Sequence, residues 1–589
     1  MSGLPSKVPG VLGNTSLSQF DVIIIGSGAG GSMAARTLTV AGGKKVLVLE
    51  SGPTYFMGLD DPAPNMPVPL FSNDELKLSV RDFIDQDSFL EPRTYRTKSN
   101  VDASFTEDVN TLPRDVGGAA VHADMKYPRF NVVDFHIASE LQSKGVSYAG
   151  TNFSDWPVTY DELEPFYTEA EHLTGVQGPQ ESDVHDPFAS RRSSDYLMAP
   201  GVPMYVAQVL SDGARAKGYT PFPYPTAVTS RPYRGRPPCV DCGFCSGYGC
   251  PNNSKSSPAV TTLREALLTG NCQLRYNCMV ARLLHDGGSH VTGVEYVDGD
   301  GNRQQVHADQ YILAASAIES ARLCLLSDRG EAGLGNSSDM VGRNLMFHFQ
   351  TIAVGIFKQR FHGERGRSVT HGLSDFRGVM PGGESIDPSM KLGGIVEFGT
   401  DSEAITAAKN NLRALAFAQS LGIKITLKDI LVNSPFLERI AAMTMQAEDA
   451  PQVTNRVDLD PAIVDVFGSP VPRITYASSR YELDARTFYS PKLVDILQAA
   501  GAQFGFIAPV DSPSQSAHIM GTLRMGSDPA SSVCDAFGRF HDVDNLYCMD
   551  GGAFVSSSGY NPTLTIITLA LRAAANIVSP GNPERVLGG

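Results

Sequence analysis

Four of the nine cysteines lie in one short segment, where their thiol groups could act together. The segment has the pattern C-x2-C-x2-C-x4-C-P, and its cysteines are Cys239, Cys242, Cys245 and Cys250. The bacterial ferredoxin pattern C-x2-C-x2-C-x3-C-P is one residue shorter, whereas zinc sites usually combine two C-x2-C pairs across a longer segment. The spacing therefore favours an iron–sulfur site, with reduced thiols, a single disulfide or zinc as the alternatives.

Two histidines occur in glycine-rich segments that could place them beside a ligand. His518 begins the sequence His-Ile-Met-Gly-Thr, and His122 ends the sequence Gly-Gly-Ala-Ala-Val-His. A histidine titrates near neutrality and can take the proton of a hydroxyl group within hydrogen-bond reach. Asn561 follows His518 by 43 residues, and a neutral amide can donate to a developing oxyanion without competing for that proton. By itself, a histidine in such a segment is more often structural.

A glycine-rich turn near the start of the chain has the features of a nucleotide site. The apolar run FDVIII at 20–25 precedes Gly26-Ser-Gly28-Ala-Gly-Gly31, a helical segment follows, and a second apolar run ends in Glu50. The glycines allow backbone N–H groups to approach a pyrophosphate, and a carboxylate at the end of the second strand can bind ribose hydroxyls. The pattern predicts a dinucleotide-binding βαβ unit. It does not distinguish NAD from FAD, and its structural alternative is a tight turn in a flavodoxin-like domain.

The rest of the chain supplies the elements that must position these residues. A β-meander with a DGDG turn, then a strand and a helix at 316–327, follows the cysteine segment, and an apolar helix follows Asn561. Residues 156–176 are predicted to be helical. Residues 52–115 are predicted to form extended loops and short helices, and residues 346–514 a second lobe of strands and polar helices.

Composition excludes several classes of protein. With 48 Lys and Arg against 63 Asp and Glu, the net charge of −15 gives no electrostatic basis for binding nucleic acid. At 42% hydrophobic and 19% charged residues, the chain has globular composition, and its 589 residues predict two or more lobes. The first residues lack the apolar region of a secretory signal, and no apolar run could span a membrane, so the sequence predicts a soluble cytoplasmic protein.

Several motifs, taken in order, resemble the glucose-methanol-choline (GMC) oxidoreductase family over almost the whole chain. They include Gly117-Gly118, SAIESARLCLLS at 316–327, MVGRNLMFH at 340–348, the His518 segment, DGGAF from Asp550 and Asn561-Pro562-Thr563. The layout is most similar to the catalytic flavoprotein subunits of gluconate 2-dehydrogenase and fructose dehydrogenase. The resemblance implies an FAD-dependent enzyme that oxidises the CH–OH group of a sugar, sugar acid, polyol or other alcohol to a carbonyl.

The resemblance also implies an α/β fold with two lobes. A Rossmann-like FAD-binding domain would be built from the discontinuous segments 15–155, 230–345 and 515–589. A substrate domain with a mainly antiparallel sheet would comprise residues 156–229 and 346–514.

The family assigns roles to particular positions. His518 would take the hydroxyl proton with Asn561 beside it, while hydride moves to flavin N5. Some members bind FAD covalently through the histidine at the His122 position, so His122 either forms that bond or packs beside the flavin. The residues assigned to FAD are Gly26, Gly28, Gly31, Glu50, Gly117, Gly118, His122, Asp550, Gly551, Asn561 and Pro562.

For the cysteine segment, some similar subunits carry a three-iron (3Fe-4S) cluster on three of the cysteines. Such a cluster would pass electrons to a cytochrome or quinone, and a small partner subunit could export the complex to the periplasm. The alternatives are an O2-dependent oxidase without a cluster, a flavin-dependent lyase and a non-catalytic flavoprotein subunit.

Overall fold

The computed structural model describes most of the chain, and the structural statements below refer to that part. The described residues are 10–62, 65–70, 92–106, 112–243, 245–327, 332–363, 366–380, 382–399, 415, 419, 422–429, 438–510 and 516–588. Residues 71–91, within the stretch predicted as loops and short helices, therefore lie outside it.

Strands occur along the whole chain, and most are short. In order they are β1 Gly10–Gly13, β2 Phe20–Ile25, β3 Val46–Leu49, β4 Phe56–Met57, β5 Val68–Pro69, β6 Arg93–Arg96, β7 Ser104–Thr106, β8 Phe222–Pro223, β9 Cys272–Tyr276, β10 Met279–His285, β11 Val291–Val297, β12 Arg303–Val306, β13 Ala308–Leu313, β14 Phe349–Ile356, β15 His371–Leu373, β16 Val396–Gly399, β17 Ile440–Ala447, β18 Arg456–Val464, β19 Pro470–Thr475, β20 Phe504–Ile507 and β21 Leu546–Cys548.

The helices are fewer and longer. The α-helices are α1 Ala29–Arg36, α2 Ile137–Ser143, α3 Tyr160–Thr174, α4 Tyr205–Ala216, α5 Thr262–Leu268, α6 Ala317–Ser327, α7 Arg480–Ala499 and α8 Thr563–Val578. A π-helical turn, Thr37–Ala41, extends α1, and short 3-10 turns include Gly118–Val121 and Gly551–Ala553. None of the described helices has both the length and the hydropathy that a bilayer-spanning helix requires.

A six-stranded sheet in the order β1-β9-β3-β2-β13-β21 carries the predicted nucleotide unit. All its neighbouring strands are parallel except β1, which pairs antiparallel with β9. The apolar runs of β2 and β3 are buried because helices cover the sheet, and α1 packs on α8. The predicted Rossmann-like unit is confirmed, and the last strand and helix of the chain complete it.

The predicted meander is also present. β10, β11 and β12 form a separate antiparallel sheet, and the DGDG sequence lies in the turn between β11 and β12. The chain then returns to the parallel sheet through β13 and enters α6, as the sequence analysis predicts.

A second six-stranded sheet, β20-β14-β17-β16-β15-β8, is antiparallel throughout. Along β14, buried and half-buried residues alternate, which is the period expected of a strand with one face on a core. Helices α4 and α7 cover this sheet. The α/β fold with a mainly antiparallel second lobe is therefore confirmed.

The described part of 52–115 differs from the expectation of extended loops and short helices. It contains the short strands β4 to β7, and β6 pairs in parallel with β19 of the second lobe. The reason is tertiary: a strand of four residues has little pattern of its own and is fixed by a partner almost 380 residues away. The predicted domain boundaries stay a prediction.

Candidate functional site

A cavity of about 550 Å³ lies beside the carboxyl ends of β2 and β3 and the start of α8. Its lining comes from both ends of the chain and from the middle. It brings together most of the residues predicted from the sequence: Gly26, Gly28, Glu50, Gly118, His122, His518, Asp550, Gly551, Asn561 and Pro562. Gly31 and Gly117 are not on the lining.

Three glycines of the turn after β2 have different surroundings. Gly26 has a φ of +100°, and a Cβ there would lie 2.3 Å from the Ala314 carbonyl oxygen. A Cβ on Gly31 would lie 2.1 Å from the Gly26 carbonyl oxygen, so this glycine allows α1 to begin directly against the strand end. At Gly28, by contrast, a Cβ would meet nothing within 4 Å. Gly28 therefore borders open space in the cavity, as a phosphate-binding turn requires.

Glu50 is a buried carboxylate at the end of β3. Its oxygens accept hydrogen bonds from the Ser27 backbone N–H at 3.0 Å, the Ser27 hydroxyl at 2.7 Å and the Gly52 N–H at 2.9 Å. Burial raises the pKa of Glu50, and these donors oppose the shift. The Ser27 hydroxyl also accepts from the Gly117 N–H at 3.0 Å. Ser27 thus joins the glycine turn, the acid and the Gly117-Gly118 segment.

Asp550 also lines the cavity and lies in the chain between β21 and α8. Its carboxylate accepts from the Ser320 hydroxyl at 2.5 Å and the Gly552 N–H at 2.7 Å. Burial raises its pKa, and these hydrogen bonds counteract that effect. Gly551 next to it is closely packed, because a Cβ there would lie 2.5 Å from the Ile519 carbonyl oxygen.

His122 is buried against the cavity at the end of the 3-10 turn Gly118–Val121. Its Nε2 lies 2.9 Å from the Asp115 carboxylate, which is also buried. Burial raises the pKa of Asp115, and the neighbouring His122 opposes this shift. The Gly247 N–H donates to the His122 carbonyl oxygen at 3.0 Å, so this segment contacts the cysteine loop.

His518 reaches the cavity beside a second histidine, His348. The two Nδ1 atoms are 2.7 Å apart, and the rings are nearly perpendicular, at 88°. His348 is fully buried, and its Nε2 lies 3.0 Å from the Ser557 carbonyl oxygen. Burial lowers the pKa of His518 well below its ordinary value, and His348 and Lys126 lower it further. The lowered pKa favours the unprotonated form of His518, which is the form that a general base requires.

Asn561 is held at both ends of its amide. Its Nδ2 donates to Glu397 at 3.0 Å, and its Oδ1 accepts from the Tyr224 hydroxyl at 2.5 Å. The same Glu397 accepts from Lys126 Nζ at 2.8 Å, and Asp124 lies 2.9 Å from that ammonium group. Burial lowers the pKa of Lys126, but the two carboxylates outweigh it and raise the pKa above its ordinary value.

Further polar side chains line the same end of the cavity. Gln350 donates to Gln446 at 3.1 Å, and both lie on the lining with Asp124 and Lys126. Four of the residues at this site, Ser27, Lys126, Tyr224 and Glu397, are not predicted from the sequence. Ser27 lies inside the glycine-rich motif, but that pattern specifies only its glycines. No motif contains the other three, which are placed by contacts with residues distant in the chain.

The cysteine loop lies next to this cavity but is not organised as a metal site. Ser246 and Gly247 line the cavity. The buried Lys255 ammonium fixes the loop by donating hydrogen bonds to the carbonyl oxygens of Ala123, Cys245 and Tyr248. In the part of the chain described, which omits residue 244, no group of three His, Cys, Asp or Glu side chains could hold a metal ion.

Two of the four thiols have a polar neighbour close in the sequence. Cys239 Sγ accepts from the Asp241 N–H at 3.4 Å, and Cys250 Sγ lies 3.1 Å from Asn252 Oδ1. Burial raises the pKa of Cys245. In the described residues, which include all nine cysteines, none of the cysteines forms a disulfide.

Comparison with family models gives two matches, both described as GMC oxidoreductase. The N-terminal model matches residues 201–350, and the C-terminal model matches residues 451–570. The C-terminal match includes His518 and Asn561, and the N-terminal match includes the cysteine loop.

Characterised relatives match over nearly their full length. The chain is 27% identical to the gluconate 2-dehydrogenase flavoprotein of Pantoea cypripedii, covering 97% of this chain and 95% of the relative. It is 28% identical to the fructose dehydrogenase large subunit of Gluconobacter japonicus, over 96% and 99%. Among solved structures, pyridoxine 4-oxidase from Mesorbium loti superimposes with a TM-score of 0.60 at 16% identity, covering 94% of this chain and 98% of that one. This last likeness concerns the fold.

Proposed function

Because the chain belongs to the GMC oxidoreductase family, we propose that His518 takes the hydroxyl proton of an alcohol bound beside FAD in the cavity. The protein is an FAD-dependent oxidoreductase that acts on CH–OH donors. One observation carries the assignment of the site: His518 and Asn561 line the same cavity as the glycine turn and Glu50.

The residues present fit FAD. The open space beside Gly28 suits a pyrophosphate at the start of α1, and the Glu50 carboxylate suits ribose hydroxyls. A volume of about 550 Å³ is in the range of cavities that enclose a large ligand. Bound there, FAD supplies the acceptor for the hydride of the alcohol carbon. The residues on the lining that would hold it are Gly26, Gly28, Glu50, Gly118, His122, Asp550, Gly551, Asn561 and Pro562. Gly31 and Gly117, which are not on the lining, would support the two glycine segments from behind.

The protein's own part in the reaction is to remove and hold a proton. A neutral His518 can accept the hydroxyl proton, because its lowered pKa keeps it unprotonated at neutral pH. Asn561 has a fixed orientation from Glu397 and Tyr224, and its remaining amide hydrogen can donate to the substrate oxygen. Lys126 places a positive charge near the developing alkoxide.

The polar lining supports a narrower substrate class. Gln350, Gln446 and Lys126 offer hydrogen bonds that a polyhydroxylated substrate satisfies and an aliphatic alcohol leaves unpaired. Lys126 is already matched by Asp124 and Glu397, so this group of three has a net negative charge. We therefore propose a neutral sugar or polyol as substrate, in preference to a sugar acid.

For the electron acceptor, we propose a dehydrogenase rather than an oxidase. The cysteine loop beside the cavity and the likeness to a gluconate 2-dehydrogenase flavoprotein support this choice. In the described residues no group of three potential metal ligands is found, and the cluster on Cys239, Cys242, Cys245 and Cys250 stays a prediction from their spacing. The partner subunit, the cytochrome or quinone acceptor and the cellular compartment also stay predictions.

Iron and sulfide analysis of protein purified without oxygen tests the cluster, and peroxide formation under air would indicate the oxidase. Two hypotheses remain for His122: it forms a covalent bond to FAD, or it contacts FAD without one. Acid precipitation separates them, because yellow colour remains in the pellet only if the bond exists.

Anaerobic bleaching of the flavin tests the function itself. A neutral alditol or aldose should bleach the bound FAD, and the corresponding aldonic acid should do so much more slowly. His518→Ala should retain FAD and lose bleaching by at least about 100-fold, the usual contribution of a general base. An unchanged rate in this variant would rule out His518 as the base. Failure of every alcohol to bleach the native protein would favour a lyase or a non-catalytic flavoprotein.

A further inference from the structure

The contact between His518 and His348 indicates which ring nitrogens of the two histidines carry protons. A distance of 2.7 Å between two Nδ1 atoms requires one proton between them. Two N–H groups facing each other, or two lone pairs, would repel at that separation. One histidine therefore donates and the other accepts.

The other nitrogen of His348 decides which of them donates. Its Nε2 lies 3.0 Å from the Ser557 carbonyl oxygen, and a carbonyl oxygen can only accept. The Nε2 of His348 must carry a proton, so in neutral His348 the Nδ1 has the lone pair. His518 then donates its Nδ1–H to His348, which leaves the lone pair of His518 on Nε2.

The surroundings fix His348 in this orientation. The Ser557 hydroxyl accepts from the Asp449 N–H at 2.8 Å and donates to the Asp449 carbonyl oxygen at 2.9 Å. The Asp449 carboxylate accepts from the Phe347 N–H at 2.6 Å and from the Tyr476 hydroxyl at 2.9 Å. These residues are buried. Asp449 therefore fixes both Phe347, which precedes His348 in the chain, and Ser557, whose carbonyl oxygen faces His348.

We propose that His348 is a positioning residue that fixes the tautomer of His518 and so presents its unprotonated Nε2 to the substrate hydroxyl. The proposal rests on His518 being the base. It assigns to His348 a task that carboxylates perform for other catalytic histidines, with a neutral acceptor in place of a charge. Burial lowers the pKa of His348 to about 4, so the accepting form is present at neutral pH.

Two substitutions at the same site separate this role from simple packing. His348→Leu fills the space and removes the acceptor, whereas His348→Asn can keep an acceptor oxygen near the Nδ1 position. We expect anaerobic flavin reduction by a saturating substrate to slow on the order of 100-fold in His348→Leu. Most of that rate should return in His348→Asn, with substrate affinity changed less than the rate in both. Equal slowing in the two variants would show that packing alone is at work.

A second measurement does not depend on activity. The shared proton should give a downfield imidazole N–H resonance in the proton NMR spectrum of the FAD-loaded protein. It should disappear in His348→Leu and in His518→Gln and persist in His371→Ala, a control histidine on β15 outside the cavity lining. Its absence from the native protein, or its persistence in His348→Leu, would overturn the proposal whether or not any alcohol bleaches the flavin.

Discussion

At the scale of single residues, the histidine that we propose as the base lies near a positive charge that opposes its protonation. Burial is the main reason for the low pKa of His518, and the Lys126 ammonium adds to it. The same ammonium is stabilised by Asp124 and Glu397. The Lys126 ammonium disfavours protonation of His518, and in the proposed reaction it would also attract the substrate oxygen as its proton leaves.

Lys126→Met should raise the pKa of His518, because the substitution removes a positive charge that opposes protonation. The base works only when unprotonated, so the rate of flavin reduction should begin to fall at a higher pH than in the native enzyme. At pH values above both pKa values, the remaining loss should reflect only the missing interaction with the substrate oxygen. The measurement is anaerobic flavin reduction from pH 4.5 to pH 9.

Lys217→Met removes an exposed lysine at the end of α4 and serves as the matched control. Its pH profile should coincide with that of the native enzyme. A Lys126→Met profile with an unmoved acid limb would show that Lys126 does not act on the base.

Residue types predicted part of this site and could not predict the rest. His518, Asn561, Glu50 and the glycines stand out because the chemistry of the ligand restricts the residue at each place. Glu397 gives no such signal, since it lies 164 residues from the Asn561 amide that it orients. The spacing of the four cysteines shows the opposite limit, because in the described residues no group of three potential metal ligands accompanies it.

At the scale of elements, the turn between β2 and α1 separates the demands of folding from those of binding. Gly31 is needed for packing of the helix against the strand end, while Gly28 faces the cavity. The sequence pattern contains both glycines and cannot say which serves which purpose. Apolar periodicity predicted β2, β3 and α8 well, but β1 and β6 are short strands fixed by distant partners.

Alanine substitutions at Gly31 and Gly28 should affect different properties, the first the stability of the protein and the second its FAD content. Gly31→Ala should destabilise the protein by about 1–3 kcal/mol, because the methyl group would meet backbone that cannot move freely. Gly28→Ala should leave the thermal midpoint of the flavin-free protein unchanged and lower the FAD content, since the methyl group would occupy space meant for the nucleotide. Thermal unfolding and the ratio of flavin to protein absorbance measure the two effects. Equal effects of the two variants on stability would contradict this division.

At the scale of the whole molecule, one buried ion cluster joins segments from three parts of the chain. Arg377 bonds to Asp134 and, at 3.0 Å, to Glu448, and all three side chains are fully buried. The two carboxylates hold the pKa of Arg377 above its ordinary value against the effect of burial. Tyr481 also donates to Glu448 at 2.9 Å, so α7 is attached to the same point.

Arg377→Met should lower the free energy of unfolding by about 3–5 kcal/mol, because it leaves two buried carboxylates without their cation. Arg191→Met is the matched control: Arg191 pairs with Asp161 at 3.0 Å, but the two side chains are 65% and 73% exposed. An exposed pair contributes at most about 1 kcal/mol. Denaturant unfolding of both variants gives the comparison, and similar losses would show that burial does not govern the contribution of these pairs.

The way in which the parallel sheet and its cavity are assembled has a consequence for biosynthesis. The lining runs from Ile25 to Ile566, and both β21 and α8 are needed to close it. At ~5–20 residues per second, translation separates those two ends by roughly 25 to 100 s. During that interval the nascent chain has its glycine turn and Glu50 but no complete pocket. Flavin capture is therefore a late event, because it has to wait until the segment that forms β21 and α8 has been synthesised.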